Sequence, residues 1–232
     1  MSEMSLLEFD SRTGLDEQLA GDVSGILKQA IEARGVASLV LSGGSTPKGF
    51  LRGLACEELD WSKVTVTLAD DRWVPSDHED SNDRLVRENL LQGPASAATF
   101  LPLVNGDAHP KTATVAIRDS LASLETVDVM ILGMGGDGHF ASLFPASDAL
   151  AAGLDMRGRE TVIAVDPPAA PHARMSMTLP RILDARHLIL HIVGDDKRLV
   201  LERALSDKDP LSLPIAAIMA SESPAPYVYW AP

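Results

Sequence analysis

The chain has 232 residues, 45% of them hydrophobic and 23% charged, the profile of a globular protein; a collagen, a coiled coil and a disordered tail are excluded. Thirty-three acidic residues against 20 basic ones leave a net charge of −13, a mean potential that repels phosphate backbones and anionic membranes, so neither nucleic acid nor a membrane is an expected partner. Cys56 is the single cysteine, which rules out an intrachain disulfide and thiolate zinc sites, and with no signal-like stretch in residues 1–10 and no apolar run near the roughly 18 residues of a membrane span, a reducing, cytoplasmic setting is expected.

In chain order, Leu15, Leu19, Val23, Ile26, Leu27, Ala30 and Ile31 recur at three- and four-residue intervals and predict an amphipathic helix over 15–34, ending near Gly35. An apolar run at 36–41 reads as a strand, followed by a glycine turn and a helix to about Cys56. The alternation continues with a strand at 63–69, helices at 83–91 and 111–124, a buried-type strand at 127–132 and an apolar run at 161–165. Residues 166–173, rich in Pro and Ala, read as a loop with Arg174 at its end; a strand at 186–193, helices at 197–206 and 213–220, and a closing strand at 226–230 complete the chain. Strands alternating with helices predict an α/β fold, a mainly parallel sheet with helices on both faces, in one domain over 1–232. Ligands of such sheets gather at the carboxyl ends of the strands.

Three strand ends carry the polar signals. Ser42-Gly-Gly-Ser-Thr-Pro47 combines two glycines, which let backbone approach an anion, with three hydroxyls, and Pro47 suits a first helical position; Ser42, Gly43, Gly44, Ser45 and Thr46 are therefore candidate phosphate binders. The Gly-Lys-Ser/Thr of a nucleoside-triphosphate loop is missing. Asp70, Asp71 and Arg72 stand at the end of the next strand, a guanidinium for an anion beside carboxylates for a hydroxyl or a proton. Residues 133–145 (GMGGDGHFASLFP) follow the 127–132 strand. Gly133, Gly135 and Gly138 satisfy the spacing of a dinucleotide fingerprint, but Pro145 interrupts the long helix that fingerprint requires. More informative is Asp137-Gly-His139, a carboxylate able to fix the tautomer of an imidazole that can take a proton from water, in a loop with little side-chain bulk. Arg174 and Lys197 add cations that an acidic protein must concentrate locally to hold an anionic substrate, because screening confines each charge to about 8 to 10 Å.

These motifs, in this order from about Leu39 to Lys197, resemble the glucosamine-6-phosphate isomerase/6-phosphogluconolactonase family, on its lactonase side. The resemblance implies a Rossmann-like α/β fold of the NagB/RpiA/CoA transferase-like group, hydrolysis of a small phosphosugar lactone, and no metal or organic cofactor. It further implies His139 as the general base, Asp70 and Arg72 as the acid and arginine of an Asp-Glu-Arg motif, and Ser42 to Thr46, Arg174 and Lys197 as holders of the phosphate and sugar. Asp137 and Gly138 flank the base as catalytic and substrate-binding candidates, either Asp137 or Asp70 being able to orient the imidazole. A monomer or weak homodimer is expected. The sequence departs from the family pattern at Asp71, where Glu is frequent, at Asp83, where Tyr is common, and at Met175-Ser-Met, where Ile-Thr-Leu is usual.

An ester-like lactone needs a base, an anchored substrate and donors toward the developing oxyanion, and no Gly-x-Ser-x-Gly elbow suggests a serine nucleophile. Two rivals stand beside hydrolysis. In deaminases of the same family a Glu is expected five residues after the histidine, where this chain has Phe144. A sugar-phosphate sensor would add a helix-turn-helix, for which no segment is visible.

Overall fold

The computed structural model describes residues 5–232; the first four residues of the stretch read above as lacking a signal lie outside the described residues. Strands β1 (Ser5–Glu8), β10 (Tyr227–Ala231), β9 (Ala185–Val193), β6 (Val127–Leu132), β2 (Ala37–Leu41), β3 (Val64–Leu68) and β5 (Thr99–Leu101) lie side by side in that order, and every pairing is parallel. Every residue of β2 and β6 is buried, which explains why both read as continuous apolar runs instead of alternating ones. Full burial of each of Leu39, Val40, Val66, Val129 and Leu132 contributes about 1.5 to 3 kcal/mol of hydrophobic stabilisation.

Helix α1 (Arg12–Arg34) begins at Ser11, whose hydroxyl accepts from the Gly14 N–H, and ends at Gly35, whose φ of 81° is the left-handed conformation that stops a helix. Leu15, Leu19, Val23 and Leu27 form its buried stripe. Helices α2 (Lys48–Ala55), α3 (Asn82–Asn89), α4 (Pro110–Ser120), α5 (Leu150–Leu154), α6 (Leu179–Leu183), α7 (Asp195–Asp207) and α8 (Ile215–Met219) follow in the connections. Asp195 and Asp196 occupy the first turn of α7, where the helix dipole favours them. No helix of the described residues is long and apolar enough to cross a membrane.

From β2 the chain steps to β3 and β5 on one side, whereas β6 leads to β9 and β10 on the other. The carboxyl ends of β2 and β6 thus diverge at a topological switch point, the crevice where open α/β sheets bind ligands.

A second, antiparallel sheet of β4 (Asp70–Arg72), β8 (Arg174–Met177) and β7 (Val162–Val165) corrects the sequence reading, which put Arg174 in a loop. Arg174 opens β8 and is the register partner of Arg72. Four residues buried on both faces have no alternation to betray a strand, and their partners on β4 lie about a hundred positions away. Strands β1 and β5 and helices α5 and α6, all five residues or fewer, likewise carry no legible period, and α4 stops at Ser120 instead of running to 124.

Candidate active site

A cleft of about 250 Å³ opens at the switch point, the size of a small metabolite. Its wall includes ten of the thirteen side chains and turn positions singled out from sequence: Ser42, Gly43, Gly44, Ser45, Thr46, Asp70, Arg72, His139, Arg174 and Lys197. Asp71, Asp137 and Gly138 are not on the wall.

The 42–47 turn leaves β2 directly. Gly43 packs so closely on Asn82 that a Cβ would collide with its amide, and Gly44 has φ of 96°. From below, the Arg12 guanidinium donates to the carbonyls of Ser45 (2.8 Å) and Thr46 (2.9 Å) and fixes the turn to the start of α1. Pro47 stands one residue ahead of α2, not as its first helical residue.

On β4, neighbouring carboxylates part. Asp71 turns away from the cleft and accepts from the N–H groups of Asn82 (2.7 Å), Arg72 (2.8 Å) and Asp83 (3.1 Å), anchoring the start of α3; burial pushes its carboxyl up to about 7 against those three bonds. Asp70 accepts from the Ser142 hydroxyl at 2.5 Å and stands 4.0 Å from the Arg174 guanidinium. Asp70 therefore serves Ser142 and Arg174; it is Asp137 that meets the imidazole. Burial lowers the Arg174 pKa, and its guanidinium lies 5.1 Å over the Phe144 ring.

The loop after β6 carries His139, whose Nδ1 is 2.5 Å from Asp137 Oδ1. The same carboxylate oxygen accepts from the His139 N–H at 3.2 Å, so carboxylate and imidazole form a closed local unit. Burial pushes the Asp137 carboxyl up, but the hydrogen bond and charge of His139 outweigh it and hold the group below its ordinary value, ionised at neutral pH. When the imidazole is neutral, an ionised acceptor at Nδ1 selects the tautomer with the proton there and leaves the Nε2 lone pair free. Phe144 packs on the ring at 4.1 Å between centroids. Gly135 is required by this packing, since a Cβ there would strike both the imidazole and Asp137. Gly138, expected to bind substrate, holds the loop: its φ is 78°, its carbonyl accepts from the Ile215 N–H at 2.8 Å, and a Cβ would press on Leu213.

Among the described residues, six buried polar atoms of wall side chains have no hydrogen-bond partner: Ser42 Oγ, Asn82 Oδ1, Arg72 Nε, Arg174 Nε and both ring nitrogens of His191. Buried polar groups are nearly always paired, so their concentration around one crevice makes it the candidate site for a polar ligand. The sequence reading missed His191, Asn82 and Ser142. His191 interrupts the otherwise apolar stretch 188–193 of β9, the one signal it offered; its Nε2 lies 3.5 Å from Asp16 Oδ1 without hydrogen-bond geometry, and burial, with the Arg12 charge, pushes it down to about 4. Among the described residues, the one group of three side chains placed to share a metal ion, His78, Asp80 and His172, lies off the cleft wall.

A parallel sheet with a glycine turn, clustered cations and a carboxylate-held imidazole at its switch point defines the class as an α/β protein with a polar cleft at the carboxyl ends of its strands. The family described as glucosamine-6-phosphate isomerases/6-phosphogluconolactonase matches residues 10–230, and the chain belongs to that family. It is similar to the 6-phosphogluconolactonase of Rhizobium meliloti, with 44% identity over 97% of both chains, and to that of Pseudomonas putida, with 43% identity over 96% of this chain and 90% of the other. Among solved structures, a 6-phosphogluconolactonase from Shewanella baltica is 40% identical and superposes with a TM-score of 0.97 over 100% of this chain and 99% of that one. A monomeric glucosamine-6-phosphate deaminase, 19% identical with a TM-score of 0.80, shares the fold.

Proposed function

We propose that the chain is a 6-phosphogluconolactonase, a hydrolase converting 6-phospho-D-glucono-1,5-lactone to 6-phospho-D-gluconate in the oxidative pentose phosphate pathway. The near-full-length relatives of that name support the reaction, and the observation that carries the mechanism is the 2.5 Å pairing of Asp137 with His139 at the rim of a cationic cleft. Asp137 keeps the proton on Nδ1, so Nε2 takes a proton from water as the oxygen attacks the lactone carbonyl. The same nitrogen, now protonated, returns that proton to the ring oxygen as the C1–O bond of the tetrahedral intermediate breaks. Ser42, Gly43, Gly44, Ser45 and Thr46, with Arg72, Arg174 and Lys197, hold the 6-phosphate and sugar, a grip remote from C1 whose binding energy positions the carbonyl. Asp70, braced by Ser142, orients Arg174.

The alternative within the family is deamination of glucosamine 6-phosphate. Phe144, buried against both His139 and Arg174, fills the position where an acidic partner would stand, which favours hydrolysis. Purified chain is expected to accelerate decay of the lactone above its spontaneous rate and to release no ammonia from glucosamine 6-phosphate; the opposite pair of results would displace this assignment.

A further inference from the structure

We propose that His78, Asp80 and His172 form a binding site for one divalent transition-metal ion of the zinc class, outside the cleft. Their ligating atoms all lie within 4.8 Å of one another. His172 Nε2 is 3.0 Å from Asp80 Oδ2, His78 Nδ1 is 3.9 Å from the same oxygen, and the two rings stand edge to face at 77° with centroids 5.3 Å apart.

Two imidazoles and one carboxylate are a donor set that borderline-soft divalent ions favour, whereas calcium and magnesium select oxygen. Ligands at about 2.0 to 2.2 Å from a tetrahedral zinc are separated by about 3.3 to 3.6 Å, so the widest gap here must close by little more than about 1 Å. All three side chains are partly exposed and have room for that adjustment, and solvent can complete the coordination. Arg72 donates to the carbonyl of Asp80, and among the described residues the ion pairs of its carboxylate are with His78 and His172 and not with a guanidinium. Two contacts compete and would yield to the ion: the Asp80 N–H, which donates to His78 Nδ1 at 3.1 Å, and the hydrogen bond between His172 Nε2 and Asp80 Oδ2 at 3.0 Å.

The ligands come from two loops, His78 and Asp80 from the segment between β4 and α3 and His172 from the segment between β7 and β8. These loops flank the register pair Arg72 and Arg174, and Trp73 N–H donates to Ala173 O between them at 2.7 Å. A bound ion therefore staples together the two segments that carry both cleft arginines.

The test titrates chelator-treated full-length chain with zinc by calorimetry and with cobalt(II) by its ligand-field absorption, each variant being checked for fold by circular dichroism. One ion per chain is expected. His172→Ala and Asp80→Asn, the latter keeping side-chain shape should the former unfold, are each expected to weaken binding at least about tenfold, since even the loss of an outer-shell partner costs that much. His109→Ala, in the exposed His109–Asp166 pair, is expected to retain the ion. Absence of binding, unchanged affinity in both ligand variants, or an ion lost in His139→Ala and kept in His172→Ala would each overturn the assignment.

Discussion

The two ends of β6 treat buried polar groups in opposite ways. At the amino end, Asp128 accepts from the Ser38 N–H (2.9 Å), the Ser38 hydroxyl (3.2 Å) and the Arg34 guanidinium, with Arg186 at 3.4 Å. Its own N–H donates to Ser38 Oγ at 2.9 Å, so neither side chain leaves a buried atom unpartnered. At the carboxyl end, six buried atoms around the cleft are left without partners. One sheet therefore uses polar residues at one end to fasten strands together and at the other leaves them unpaired around the cleft. Groups satisfied within the fold add to stability, whereas unsatisfied ones subtract from it and persist where another molecule completes them.

The contrast breaks most sharply at His139. His139→Ala is expected to lower kcat for lactone hydrolysis by about 10² to 10⁴, the usual worth of a general base, with the unfolding midpoint and KM nearly unchanged. Steady-state kinetics with a denaturant titration measures both, and a rise in KM at constant kcat would contradict the base assignment.

Next in size is a pH effect at His191. Its pKa in the folded chain is about 4 against an ordinary 6.5, because burial and then the Arg12 charge disfavour the imidazolium. Below pH 6.5 the unfolded chain takes up a proton that the folded chain refuses. The contribution is thus complete above 6.5, fades as the pH falls and is lost by about 4, a change of about 3 kcal/mol. His191→Leu, with Asp16, Arg12 and Phe50 still around the site, is expected to flatten this acid limb in urea titrations across that range. A profile parallel to the parent's would remove His191 from the account.

Asp128→Ala sharpens the comparison from the other end. It strips three acceptor contacts and is expected to cost about 2 kcal/mol of unfolding free energy at unchanged kcat and KM. Loss of activity in a chain of normal stability would show that the two ends of β6 are not separable. Smallest is Lys197→Ala, expected to raise KM for the phosphorylated lactone about tenfold, the lower range for a charge-assisted bond, with little change in kcat. An unaltered KM would take Lys197 out of the anion grip.

Legibility follows the range of the interactions involved. The helix over 15–34 and the strand at 127–132 appear within a residue or a few of their predicted bounds, because each buries a face whose period is written in consecutive residues. The 42–47 and 133–139 loops were equally readable, since glycines at strand ends are a local requirement of the turn. Arg174 and Lys197 were found as charges, but Arg174's strand was not, because four buried residues become β8 only through pairing with β4 and β7. Asp70 was read as a possible partner of the imidazole; its bond to Ser142, 72 positions on, decided otherwise.

Sequence alone determined the parallel α/β architecture and the glycine turn after β2, and it put a carboxylate two residues before His139, all of them products of neighbours within a few positions. Tertiary structure alone decided that Arg72 faces Arg174, that Asp70 braces against Ser142, that His191 lies unpartnered beside Asp16, and that His172 reaches Asp80 across 92 positions. The physical reason is that backbone period and turn chemistry act over short stretches of chain, whereas the partner of a buried charge is set by which strands the whole sheet brings side by side.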